Sequence, residues 1–333
     1  MVHETKYGVI SDVHQDPRIV PIAIDVLKKL GAEKLILNGD IGEQQKTFQA
    51  SLDYVAVILD AVGKSGLDAY VQPGSHETVG AFHPVLTHFK QKYSNLISAF
   101  DVPKVEKIDH HLVFLPGSDF TCGGEYQIGS NPDIPSGLYI PTERGIMPYD
   151  PKVHQALMTQ GQFRGLLQYV NMHDLKSLVS DSKKTIVVCH VPRKFDLIDG
   201  AVDVVYFAEN KDGGVIPGVA VEGMIRKQFG RVSDDDVCVI AARNGLSLKY
   251  ENRGNQDLRD FYAQLGITKA VSGHFHESGH RANDGNVRFV PQGTFVDELY
   301  WNSGQLDLGQ TGILTVRDGR VCYQNVKLQD HLN

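Results

Sequence analysis

Long apolar runs are missing from this chain of 333 residues; none approaches the ~18 residues of a membrane-spanning helix, so no membrane association is expected. Cysteine is scarce. The four residues, Cys122, Cys189, Cys238 and Cys322, form no CxxC pair, which leaves no paired-cysteine motif to interpret. Cys189, Cys238 and Cys322 lie inside apolar runs and read as buried free thiols of a reducing cytoplasm, with a disulfide pair as the alternative. Basic excess is lacking too, since 33 Lys and Arg face 40 Asp and Glu, a net charge of −7. A nucleic-acid surface shows as a basic excess or stripe. Here Arg193-Lys194 is the one basic pair beside a strand end of interest, so nucleic acid is the less favoured partner. Acidic balance does not exclude a small phosphorylated substrate, because bound cations can dominate the local field. No internal repeat or low-complexity linker is present, and the first strand begins at Tyr7, which leaves no room for a signal peptide. One cytoplasmic domain over residues 1–333 is expected, with insertions at about 117–158 and 194–255. The first insertion, rich in Gly, Pro, Ser and Tyr, reads either as a lid shaping substrate access or as a plain surface excursion. Oligomeric state is left open.

What the chain does have is a series of short apolar runs that stop abruptly at Asp or His. Tyr7 to Ile10 reads as a buried strand running into Ser11-Asp12-Val13-His14, where period-two geometry puts Asp12 and His14 on one side. A helical stripe of Ile22, Val26, Leu27 and Leu30 closes at Gly31. The strand Lys34–Leu37 then runs into Asn38-Gly39-Asp40. A second helix uses Leu52, Val55, Ile58, Leu59 and Val62, and Ala69–Val71 runs into Pro73-Gly74-Ser75-His76-Glu77. This alternation predicts right-handed crossovers and parallel pairing. Parallel strands bring their carboxyl ends to one edge, where ligands collect.

Further on, Val105–Leu115 reads as a hairpin with Asp109-His110 at its tip, and Gln160–Leu178 as a long helix. Thr185–Cys189 is a buried strand ending at His190. Helices are expected near Val219–Phe229 and Leu258–Leu265, with a strand at Val237–Ala241 between them. Lys269–Ser272 runs into Gly273-His274-Phe275-His276. The tail reads as strands at Val287–Val290, Gly312–Val316 and Val321–Val326, the last two joined by an Asp318-Gly319 turn.

Five strand ends thus carry carboxylates and imidazoles, a donor set that suits first-row divalent metals such as Mn, Fe, Zn or Co. Two carboxylates and four imidazoles exceed what one ion needs and suit two ions sharing a bridging carboxylate. As an ordered set, Asp-x-His, Gly-Asp, Gly-Ser-His-Glu, His and Gly-His-x-His, from Asp12 to His276, resembles the calcineurin-like metallophosphoesterase family. That resemblance implies an α/β fold, a four-layer α/β/β/α sandwich of two mixed sheets flanked by helices, with the metal site at the strand carboxyl ends. It implies that Asp12, His14 and His276 hold one metal, that His190 and His274 hold the other, and that Asp40 bridges them. His76 resembles the family's non-ligand histidine, which contacts the phosphate and protonates the leaving oxygen. The family's Asn ligand is Ser75 here, a shorter and poorer donor, which bears on the affinity of the second site.

The implied activity is hydrolysis of a phosphomonoester or phosphodiester of a small molecule or nucleotide. Two metal ions clamp the phosphate, and a metal-bridging hydroxide attacks in line. The alternatives are a nuclease of the same family, or a catalytically weak scaffold that keeps the fold, which Ser75 favours. Arg193, close behind His190, reads either as a phosphate contact or as a surface salt bridge. Glu77 reads as holding its turn, and His280 as a residue that could support the ligands. His83 and His88 could line the site. Tyr300-Trp301 reads as a core aromatic pair, with stacking on a base or sugar as the alternative.

Overall fold

Residues 4–119 and 123–332 are described by the computed structural model; His3 and Cys122 fall outside them. The first sheet has six strands. Its parallel part is β1 (Thr5–Ile10), β2 (Lys34–Asn38), β3 (Asp68–Gln72) and β4 (Leu96–Ser98). Gln310–Arg317 joins β1 antiparallel, with Arg320–Lys327 outside it. The second six-stranded sheet begins with β5 (Lys104–Glu106) and β6 (His111–Leu115). It continues through Thr185–Cys189, Lys269–Ser272 and Leu299–Asn302, all parallel to β6, to a short antiparallel edge at Ala282–Asn283. Both sheets are therefore mixed.

Alternation along the strands decides the layers. Ile10, Leu35, Leu37 and Val71 face outward onto three helices, α1 (Ile19–Lys29), α2 (Phe48–Lys64) and α3 (Val79–Lys92), meeting Leu27, Ile58 and Phe82. Their neighbours Val9, Ile36 and Tyr70 face the other way, onto Phe114, Val188, Val271 and Trp301 of the second sheet. The far side of that sheet, with Val113, Leu115 and Val187, packs on Leu258, Phe261 and Tyr262 of the helix Gln256–Leu265. Strands buried on both faces read as continuous apolar runs, which is why they stand out in the sequence. The result is the expected four-layer α/β/β/α sandwich. Tyr300 and Trp301 are core residues, and no helix of the described residues is long and apolar enough to cross a membrane.

The excursions differ from their sequence reading. Instead of one helix over 160–178, a helix occupies Pro151–Thr159, and Leu167–Asn171 is a strand of a separate four-stranded sheet. Gly161 and Gly165 both sit at positive φ and interrupt any helix there, while Leu167, Tyr169 and Asn171 alternate inward. Residues 237–241 lie in a helix, Asp234–Arg243, started by a capping box between Ser233 and Asp236 that outweighs the β-branched run. Cys238 is consequently exposed, whereas Cys189 and Cys322 are buried free thiols. Residues 287–290 form no strand; Val287 has φ 63°, and only an isolated bridge joins Phe289 to Asn283. The hairpin β5–β6 and the Asp318-Gly319 turn stand as read.

Candidate metal centre

The carboxyl ends of β1, β2, β3, Thr185–Cys189 and Lys269–Ser272 meet at one rim and bring seven donor residues together, His76 among them beside His14 and Asp40. One group is Asp12, His14 and His276, and another is Asp40, His190 and His274, each with its ligand atoms within 4.8 Å of one another. Asp12 and Asp40 are both 1% exposed. The chain makes abrupt turns to reach this arrangement. Asp12, Asp40 and His274 sit in the left-handed region at φ 57°, 50° and 67°. Such strain costs roughly 1–3 kcal/mol per residue and persists only where the surroundings hold it. Here Asp12 N donates to the Gly39 carbonyl, Val13 N to the Asp40 carbonyl and Gly273 N to the His190 carbonyl. Asn302, unremarked in the sequence, donates through Nδ2 to the carbonyls of Gly273 and Phe275 and braces the last loop.

The glycines ahead of the ligands are required by space. A Cβ on Gly39 would stand 2.6 Å from Nδ1 of His190, and one on Gly273 would stand 2.5 Å from Oδ2 of Asp12. No side chain fits where another ligand already stands.

The hydrogen bonds fix which nitrogen of each ring faces inward. Nδ1 of His190 donates to the Asn38 carbonyl at 2.8 Å, so the neutral ring turns a lone pair on Nε2 toward Oδ2 of Asp40, 3.0 Å away. Among the described residues that buried Nε2 has no hydrogen-bond partner. Nδ1 of His14 donates to Glu43 at 3.0 Å, which leaves its Nε2 facing Nε2 of His276 at 3.2 Å. His276 Nε2 is in turn 3.1 Å from Oδ1 of Asp12. Lone pairs and carboxylates this close repel unless protons or cations stand among them. With protons alone, burial would lower His190, but Asp40 and Asp12 raise it to about 9. Burial likewise opposes His14, yet Asp12, Glu43 and Asp40 carry it to about 11. His274 goes the other way, to about 4, through burial and the nearby His190. Rings held charged by carboxylates inside a protein are what a divalent cation replaces, with release of the protons. The residues therefore fit divalent metal.

Around these donors the remaining expectations sort themselves. The Ser75 hydroxyl donates to Asp40, 3.2 Å from Oδ1 and 3.0 Å from Oδ2, and Ser75 N adds a third contact at 2.5 Å. Glu77 is buried and holds its turn, accepting from Ile41 N and Gly42 N on one oxygen and from Gly74 N on the other. His76 stands at the edge, its ring 4.5 Å from that of His14, and its Nδ1 donates to Glu43. That hydrogen bond raises the His76 pKa.

Glu43 is the residue sequence reasoning missed. It accepts from both His14 and His76 at 3.0 Å, but in the polar stretch Glu43-Gln44-Gln45-Lys46 nothing sets it apart. The Arg193 guanidinium packs against the rings of Phe195 and Tyr300, 4.3 and 4.5 Å from their centroids. His280 bonds the Thr311 carbonyl, and His83 and His88 lie exposed on α3.

No family model matches the chain, and no curated protein matches it. Among solved structures, TT1561 of Thermus thermophilus aligns with 98% of this chain and 100% of its own at 9% identity, with a TM-score of 0.49. A dimetal phosphatase from Danio rerio aligns with 97% of this chain and 99% of its own at 12% identity, with a TM-score of 0.46. PhoD aligns with 95% of this chain and 64% of its own at 10% identity, with a TM-score of 0.40.

Proposed function

We propose that this protein is a metal-dependent phosphoester hydrolase of the calcineurin-like kind. The observation that carries the proposal is the convergence of two donor triads on one rim, with the buried Nε2 of His190 left, among the described residues, without a hydrogen-bond partner 3.0 Å from Asp40. In this reading Asp12, His14 and His276 hold one cation, and His190 and His274 hold a second, with Asp40 between them. The mixed carboxylate and imidazole donors suit Mn, Fe, Zn or Co. Bound there, two such ions supply positive charge for the phosphate oxygens and an acidified water as nucleophile.

The chain's own groups do the rest. Glu43 fixes the His76 tautomer with Nδ1–H turned to the carboxylate and favours the protonated ring. His76 is then a general acid that gives the Nε2 proton to the leaving oxygen. Glu43 orients His14 through the same carboxylate, so one residue positions both a ligand and the acid. The Ser75 hydroxyl steadies Asp40 instead of standing as a donor to the second ion.

The experiment is direct. Metal content after purification is measured together with hydrolysis of p-nitrophenyl phosphate and bis-p-nitrophenyl phosphate in added Mn²⁺. Metal retention with turnover of either ester is the expected result. Hydrolysis of neither by metal-loaded protein overturns the proposal and favours a scaffold, whereas cleavage of plasmid DNA or RNA moves it to a nuclease.

A further inference from the structure

A cavity of about 340 Å³ lies beside the centre, walled by the Glu43 loop, the starts of α2 and α3, and the first excursion. That volume falls within the ~300–1,000 Å³ typical of small-molecule sites. Gln44, Lys46, Phe48, Thr78, Glu125 and Phe163 are among its lining residues. Its position follows from the chain. Gln44 comes directly after Glu43, whose carboxylate holds His76, and Thr78 is two residues beyond His76. The cavity therefore adjoins the His76 side of the centre, where a leaving group departs if the hydrolase reading above holds.

Two phenyl rings stand among its largely polar walls. Phe48, the first residue of α2, is 63% exposed, so its ring is open to a ligand. Its ring lies above Gly80, where a Cβ would come within 3.6 Å of Phe48 Cε2. Phe163 follows the helix Pro151–Thr159 and is steadied by the His154 ring, 4.7 Å away between centroids. Among the described residues the two phenyl rings line the same cavity without a ring contact between them. Glu125 locks the excursion in place by accepting from Val79 N at 2.7 Å. Gln44 and Lys46 are exposed at the same mouth, and among the described residues their side chains have no hydrogen-bond or ion-pair partner. Two separated π-faces bordered by an amide that both donates and accepts suit a flat ring with polar edges. An alkyl group would leave the amide and the ammonium unmatched.

We propose that this cavity receives a planar heteroaromatic leaving group, the base of a nucleoside phosphate, seated between Phe48 and Phe163 with Gln44 at its edge. The proposal rests on the hydrolase reading for the word "leaving", and the test separates the two. Mn²⁺-loaded wild type, Phe48→Ala, Phe163→Ala and Phe48→Trp are assayed on esters matched in type. AMP is set against glycerol 3-phosphate, and adenylyl-(3′,5′)-adenosine against glycerophosphocholine. Each alanine variant should lose roughly 5- to 150-fold in kcat/KM on the nucleoside ester while staying within about two-fold on its glyceryl counterpart, as loss of one base stack implies. Phe48→Trp should keep the nucleoside activity. Equal losses on both esters of a pair overturn the proposal. Adenosine binding to metal-free protein, followed by saturation-transfer NMR, gives a readout independent of turnover. Binding that Phe48→Ala abolishes supports the cavity even if no ester is cleaved, in which case the hydrolase reading alone fails. Absence of adenosine binding to the wild type overturns the cavity proposal.

Discussion

Nε2 of His190 stands 3.0 Å from Oδ2 of Asp40, and its Nδ1 is committed to the Asn38 carbonyl. Buried together, these two groups need a proton or a cation between them, and Asp40 also receives the backbone and hydroxyl of Ser75. Asp40→Asn keeps nearly the same shape but turns one oxygen into a donor and removes the charge. We expect it to abolish metal retention and hydrolysis together, read by elemental analysis and by p-nitrophenyl ester turnover. Full metal content with lost activity would show that Asp40 is not a ligand.

His76 should separate those two properties. It stands at the edge of the cluster, and the hydrolase reading gives it a proton to donate but no metal to hold. His76→Ala should retain metal at the wild-type level and lose turnover by ~10²–10⁴-fold on an ester with a poor leaving group. The loss should shrink with p-nitrophenolate, which needs no proton to depart. Metal loss in this variant would place His76 among the ligands, with His14 and Asp40, to which its ring nitrogen is near enough.

Glu43 acts on two rings at once, and its replacement should show in both readouts. Glu43→Gln leaves one carbonyl oxygen where two ring N–H groups now find acceptors at 3.0 Å. Metal affinity and activity should each fall by about 10–100-fold, the usual effect of losing a partner behind a ligand. An unchanged Mn²⁺ titration would confine Glu43 to His76.

Ser75→Asn introduces a longer side chain with a carbonyl oxygen. If Ser75 limits the second site, the variant should reach half-maximal activity at a lower Mn²⁺ concentration and retain more metal on dialysis. An identical Mn²⁺ titration curve would show that hydroxyl support of Asp40 is already sufficient.

Away from the rim, His110 links pH to stability. It is buried, accepts from the Tyr7 hydroxyl at 2.7 Å through Nε2 and donates from Nδ1 to Asp109 at 2.8 Å, so the neutral ring is fully satisfied. Burial lowers its pKa below 6.5, against an opposing pull from Asp109. As pH falls through 6.5 the unfolded chain takes up a proton that the folded ring resists, so the folded state is progressively destabilised below that pH and unaffected above it. The urea midpoint should drop between about pH 7.5 and about pH 5.5 by more in wild type than in His110→Gln. Equal drops would assign the acid sensitivity to other groups.

The strand ends were legible for a physical reason. Strands buried on both faces leave apolar runs such as Lys34–Asn38 and Thr185–Cys189, and an Asp or His directly after such a run has to be accommodated at the rim. The excursions lack that signature. Leu167–Asn171 is buried on alternate residues only, and its leucines and valines are spaced closely enough to imitate a helix until Gly161 and Gly165 are given weight. The helix Asp234–Arg243 did have a readable start in Ser233 followed by three aspartates, a stronger signal than the Val-Cys-Val-Ile run it precedes. Glu43 was illegible because its role comes from contacts with His14 and His76, which only the assembled rim brings within reach.

Each donor triad is split between the two halves of the sandwich. Asp12 and His14 follow a strand of the first sheet and His276 one of the second, while Asp40 belongs to the first and His190 with His274 to the second. A cation in either position is then a rivet through both leaves, and parting them at that end means tearing out the ion. With a cation bound there, the seam between Val9, Ile36 and Phe114 would be held shut at that end.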